Sequence, residues 1–208
     1  MAGMTGGMRF IGTVVLAGAA LSAAAQDLAG GTETARRALR VCAACHGEGG
    51  QSKVAAYPNL AGQQTQYTIQ QLKDFRSQTR AESNTQAYMW GVSALLDDET
   101  IGSLAEYYAA QKPAPGHAGP PRQLKLGRAL FVDGIPSRGV RACAFCHGNG
   151  AEGAAGFPRL AGQHAPYLYA QLRTFSTQLR PHGVLMKTEV SRMTDAEMRA
   201  VAAYLQSL

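Results

Sequence analysis

Apolar positions along the chain recur at helical spacing. Leu168, Leu172, Phe175 and Leu179 fall at i, i+4, i+7 and i+11, which places them on one face of a helix. A further helix near the C-terminus carries the stripe Met198, Val201, Ala202 and Leu205, and Ile101, Leu104, Ala105 and Tyr108 repeat that stripe earlier in the chain. Both stripes follow start signals. Thr194 with Glu197 makes a capping box, and Asp97 is an N-cap candidate with Asp98 and Glu99 in the first turn. An opening helix is expected over Glu33 to Ala43, with Leu124 to Phe131 as its counterpart, followed there by an inserted Gly- and Pro-containing loop, Val132 to Val140. No segment sustains the alternation of a half-buried strand, so the pattern predicts an all-α chain.

The echo between stripes extends to the residues. Tyr57-Pro58-Asn59-Leu60-Ala61-Gly62-Gln63 returns 100 positions later as Phe157-Pro158-Arg159-Leu160-Ala161-Gly162-Gln163. Tyr67, Gln71-Leu72, Phe75 and Arg80 return at the same offset as Tyr167, Gln171-Leu172, Phe175 and Arg180. Met89 matches Met186 and Tyr107 matches Tyr204, both at offset 97. One fold has been duplicated, with small changes in loop length. The Pro- and Gly-rich stretch Lys112 to Pro121 marks an extended, fairly stiff connection. The expected division is a leader at 1–25, domains at 26–112 and 122–208, and a linker at 113–121.

Met1 to Ala25 has the composition of a cleaved export signal: Arg9 in a short positive region, an apolar run from Ile11 to Leu21, and three alanines before Gln26. That run is shorter than the ~20 residues a spanning helix needs. Export predicts a periplasmic protein. Two domains of this size are marginal on their own apolar cores. Only 16% of residues are charged, which suits small domains built around an apolar cofactor. Charge is shared unevenly. From Gln26 to Lys112 the chain carries 8 basic and 9 acidic residues, whereas from Pro113 to Leu208 it carries 11 and 5. The basic residues are scattered singly, without runs or interleaved aromatics, so no nucleic-acid partner is expected. A charge dipole across two domains instead orients a protein at charged partners.

The chemistry lies in two blocks, Val41 to Gly47 (VCAACHG) and Ala142 to Gly148 (ACAFCHG), which hold all four cysteines of the chain. Each contains Cys-x-x-Cys-His, the attachment signal for c-type haem. Two neighbouring thiols can each form a thioether with a vinyl group of one haem, and the adjacent histidine can then bind the iron. Cys42, Cys45 and His46 are thus the first candidate set, and Cys143, Cys146 and His147 the second. A redox dithiol or a zinc site is the competing reading, but a redox pair needs neither the histidine nor a second copy. For the opposite face of each iron, Met89 is the one methionine between Gly47 and Lys112, where no histidine occurs. In the second half the repeat selects Met186. His182 is the runner-up, with Met193, Met198 and His164 as further alternatives, and His164 reads as a surface residue.

These motifs resemble the dihaem class I cytochromes c of the cytochrome c4 type over essentially all of the chain after the leader. The resemblance rests on both Cys-x-x-Cys-His blocks, both Pro-x-Leu-Ala-Gly-Gln turns and Met89 to Val92. It implies two tandem class I cytochrome c domains, two covalently bound haem c groups, His/Met ligation of both irons, and backbone carbonyls of Pro58 and Pro158 bonded to His46 and His147. The sequence departs from its own repeat after Arg180: the segment up to Met186 is three residues shorter than its counterpart, and Lys187-Thr188-Glu189 stands where Trp90-Gly91 would fall. The implied role is an electron carrier with no catalytic constellation and no small-molecule substrate. Its partners would be redox proteins, taking electrons from a cytochrome bc complex or dehydrogenase and passing them to a terminal oxidase or reductase. Peripheral membrane association is compatible with that role. The alternative is the cytochrome subunit of a larger enzyme, such as a sulfide-oxidising flavocytochrome.

Overall fold

The computed structural model describes residues 32–81 and 86–208, together with residues 1 and 3. The leader expected at Met1 to Ala25 therefore lies almost wholly outside the described residues. Among these residues the chain is helical, with two isolated antiparallel bridges and no strand.

In the first half, α1 (Glu33–His46) starts at Thr32, whose hydroxyl accepts from Ala35 N at 3.2 Å, and its final turns carry the first haem motif. α2 (Thr65–Arg76), α3 (Gln86–Ser93) and α4 (Asp98–Ala110) follow. The second half repeats the series as α5 (Pro121–Asp133), a single turn α6 (Ala144–His147), α7 (Ala165–Phe175), α8 (Val184–Val190) and α9 (Asp195–Gln206). α5 opens with proline at its first position, where a missing N–H costs nothing. The capping box of Thr194 and Glu197 is present, and Asp97 accepts from Thr100 N at 2.7 Å.

Each half has its own core. Leu96, Ile101 and Leu104 pack with Ala38, Leu39, Ile69 and Leu72 in the first. Leu130, Phe131, Leu168, Val201 and Leu205 form the second. All eight residues of the two predicted stripes on α4 and α9 are buried. α5 crosses α9 at Gly127, where an added Cβ would stand 2.1 Å from Ala200 O. Leu179 departs from its expected place. α7 ends at Phe175, and Leu179 lies beyond it, its carbonyl accepting from Ala81 N at 2.7 Å in the other half. The residues around both candidate methionines are helical: Met89 lies on α3 and Met186 on α8.

The insertion in the second half is tied down by charge. Arg138 pairs with Glu197 and donates to Arg192 O at 2.9 Å, while Arg192 Nη1 donates to Gly139 O at 3.0 Å. Glu189, one of the residues that breaks the repeat, pairs with Arg141 at 2.7 Å and so fixes α8 beside the second haem motif.

The halves meet through their Pro-x-Leu-Ala-Gly-Gln turns. Gly62 and Gly162 have φ of 68° and 73°, and the linker lies directly over them. A Cβ at Gly62 would fall 2.5 Å from Pro113 Cγ, and one at Gly162 would fall 2.5 Å from Ala114 O. Only glycine permits that approach.

Candidate haem centres

Cys42 and Cys45 lie one turn apart on α1, with His46 at its end, while Cys143 to His147 span α6 and its cap. Both histidines are buried. His46 Nδ1 lies 2.9 Å from Pro58 O, and His147 Nδ1 lies 3.0 Å from Pro158 O. A carbonyl can only accept, so Nδ1 carries the proton in each ring and Nε2 keeps its lone pair for a metal. Burial lowers both imidazole pKa values below the usual histidine range, which favours the neutral form that can ligate.

Burial also pushes the Cys42 thiol up and takes Cys143 to about 11. Neither of these two buried thiols is of the low-pKa, reactive kind on which a redox dithiol relies. Among the described residues, no group of three or more His, Cys, Asp or Glu is arranged to hold a metal ion. The zinc reading finds no such cluster.

A cavity of about 830 Å³ runs through both halves and is lined by all four motif cysteines, His46 and His147. Its walls are mainly apolar, with Leu72, Phe75, Leu96 and Leu104 in one half and Leu168, Leu172, Phe175 and Val201 in the other. Met89 and Met186 both line it, as do Met193 and His182. Met198 is instead buried in the α9 core, 5% exposed. His182 turns its Nδ1 to Asp74 Oδ1 at 2.9 Å across the domain boundary, with its side chain 59% exposed. His164 also reaches across, donating from Nε2 to Ser52 O at 3.0 Å, so it is a contact residue between halves as well as a partly exposed one.

A polar cluster completes the cavity where the halves meet. Arg80 donates to Gln71 Oε1 at 2.8 Å and to Tyr167 OH at 3.1 Å; Arg180 donates to Gln171 Oε1 at 2.7 Å and to Tyr67 OH at 3.3 Å. Arg180 also bonds Gln71, and Arg80 also bonds Gln171, so each guanidinium is shared between domains. They stack over Phe75 and Phe175 at 4.4 and 4.3 Å. Arg180 is 9% exposed and, among the described residues, forms no ion pair with a carboxylate. Arg159 Nε is buried beside the same cavity with no hydrogen-bond partner. Buried cationic donors call for an anion, and the two carboxylate arms of a haem fit that need. The donor set, the apolar walls and the paired thiols all suit haem. Sequence reasoning noticed the recurrence of Tyr67, Gln71 and Arg80 but gave them no task. Polar residues repeated on an otherwise apolar helix face were the available signal.

Comparison with known proteins agrees with this geometry. The cytochrome c family model matches the chain twice, over residues 32–112 and 124–208. Cytochrome c4 of Thiocapsa roseopersicina is 40% identical over 178 residues, covering 83% of this chain and 89% of the relative. A thiosulfate dehydrogenase electron acceptor of Thiomonas intermedia is 39% identical, covering 79% of this chain and 76% of its own length. The solved structure of Acidithiobacillus ferrooxidans cytochrome c4 superposes with a TM-score of 0.75 at 40% identity, covering 80% of this chain and 98% of that one. The chain belongs to the cytochrome c family, as a dihaem electron-transfer cytochrome of the c4 type with one covalently bound haem c in each of its two tandem domains.

Proposed function

We propose that the protein is a free periplasmic carrier, exported by a signal removed after Ala25, with domains at 26–112 and 122–208 joined by residues 113–121. Cys42, Cys45, Cys143 and Cys146 hold the two haems through thioethers. His46 and Met89 would ligate the iron in one domain, His147 and Met186 in the other. Each haem supplies a one-electron ferric/ferrous couple. The protein holds its two histidines neutral and oriented through the proline carbonyls, lines the cavity with apolar side chains, and offers buried guanidinium groups that would take the haem carboxylates. The observation that carries the reading is that both motif histidines open on one cavity shared by the two domains, a layout suited to passing electrons through the molecule.

The proposed donors are a cytochrome bc complex or a dehydrogenase, and the acceptor is a terminal oxidase or reductase. The relative described as an acceptor for thiosulfate dehydrogenase supports a dehydrogenase of sulfur compounds as the donor. Exposed apolar side chains next to the redox machinery support docking to such proteins: Phe145 inside the second haem motif, and Val184 and Leu185 before Met186. Purification from the native periplasm tests the free-carrier reading. A dihaem monomer, reduced and reoxidised on addition of membranes, is expected. Recovery only as a tight complex with a flavoprotein or other catalytic chain would overturn it in favour of an enzyme subunit.

A further inference from the structure

The proline carbonyl that orients each histidine belongs to a peptide group whose other end is held by the opposite domain. In the first domain, His46 Nδ1 donates to Pro58 O at 2.9 Å, and the N–H of the same peptide, on Asn59, donates to Gln163 Oε1 at 2.8 Å. In the second, His147 Nδ1 donates to Pro158 O at 3.0 Å, and Arg159 N donates to Gln63 Oε1 at 2.8 Å. Each glutamine also returns a bond from its Nε2, to Asn59 O at 2.8 Å and to Arg159 O at 3.0 Å. Gln63 and Gln163 are buried, at 8% and 6% exposed. Asn59 adds a further tie, donating to Gly162 O at 2.9 Å.

From this juxtaposition we infer that Gln63 and Gln163 are crossed positioning residues, each tuning the haem of the domain to which it does not belong. A peptide whose N–H is bonded is polarised, which strengthens its carbonyl as an acceptor. A stronger acceptor at Nδ1 makes the imidazole a more basic ligand. A more electron-donating ligand stabilises the ferric state and lowers the reduction potential. The return bond from Nε2, to the carbonyl of the next peptide, brackets Asn59 or Arg159 from both sides and so holds the proline carbonyl against the ring. The inference rests on His46 and His147 being axial ligands through Nε2.

Gln63→Met keeps the side-chain volume and removes both cross-domain bonds, along with the one that Gln63 Oε1 accepts from Gln64 N at 2.8 Å within its own turn. In the dihaem holoprotein it should shift the one-electron reduction equilibrium of the C-terminal haem toward ferrous by about threefold, ~28 mV at 59 mV per tenfold for one electron. The N-terminal haem should move by less than half as much. Gln163→Met should do the reverse. Redox titration followed by NMR resolves the two haems through their shifted methyl resonances, assigned by contacts with Phe75 or Phe175. The ring Nδ1–H resonance of the affected histidine should move upfield as its hydrogen bond weakens. Gln64→Met is the control, because it removes a cross-domain bond from the same turn, Gln64 Nε2 to Glu152 O at 3.0 Å, without touching either peptide. It should leave both potentials in place. A shift on the haem of the variant's own domain, equal shifts on both haems, or the same shift from Gln64→Met overturns the inference. If a methionine variant does not accumulate with both haems, the shorter Gln63→Asn and Gln163→Asn variants are titrated with the same expectation. His147→Ala tests the underlying reading separately: if the second haem keeps its histidine-ligated spectrum, the ligand assignment fails, whatever the glutamines do.

Discussion

At the scale of single residues, the two candidate sulfur ligands are the sharpest test of the haem centres. Met89 and Met186 line the shared cavity from equivalent helices, α3 and α8, although the repeat is shortened before the second. His182, the runner-up, is mostly exposed and bonded to Asp74, and Met198 is spent in the core. The oxidised protein should show the weak near-infrared charge-transfer band of a sulfur-to-iron bond, and Met89→Ala and Met186→Ala should each remove about half of it. An intact band in Met186→Ala, with a changed spectrum in His182→Ala, would reassign the second iron to histidine. Much of this chemistry was legible in the sequence, because covalent attachment demands a fixed local spacing of Cys, Cys and His. The candidate sulfur ligands were singled out through the repeat, since nothing local distinguishes a ligating methionine from a core one. Gln63 and Gln163 were visible as repeated letters, but their task depends on a partner about 100 positions away, and no periodicity reports that.

At the scale of elements, the start signals and apolar stripes of α4 and α9 were read in full, because capping and amphipathicity are local. Leu179 was misplaced for a tertiary reason: the chain leaves the helix after Phe175 so that Arg180 can turn back over the Phe175 ring, and Leu179 is used to bond Ala81. The α5–α9 crossing gives a test in which two effects compete. Gly127→Ala would add about 0.5–1 kcal/mol of helix propensity. Its Cβ would also sit 2.1 Å from Ala200 O, a backbone atom that can move only with its helix. Overpacking of a tight core costs about 1–3 kcal/mol, so the steric term wins. Thermal denaturation of the holoprotein should show the variant melting lower. A variant that melts higher would mean that α5 and α9 slide apart freely, and that this crossing is not what fixes the second core.

At the scale of the whole molecule, two domains alike in fold and in candidate ligands differ in charge. The acidic excess of the first half and the basic excess of the second are both sequence properties, but the fold brings them into contact through the paired turns. Nearby positive charge disfavours the ferric state, so the haem of the C-terminal domain should have the higher potential, drawing electrons from the N-terminal domain toward the basic one. Arg80 and Arg180 occupy matching places and are each shared across the boundary, so they favour neither side, whereas Arg159, with its Nε buried beside the cavity where the first half has Asn59, adds positive charge on the C-terminal side. The rest of the difference should come from exposed charge, which is screened beyond ~10 Å at 0.1 M salt. Titration of the intact protein, resolved haem by haem, should show the gap between the two potentials narrowing as salt is added. Solvent access pulls the other way. Val184 and Leu185, just before Met186, are 65% and 58% exposed, and water reaching the second centre would stabilise its ferric charge. A C-terminal haem of lower potential at low salt would show that hydration outweighs charge. Electrons would then leave from the N-terminal domain, and the basic half would be the docking face for the donor.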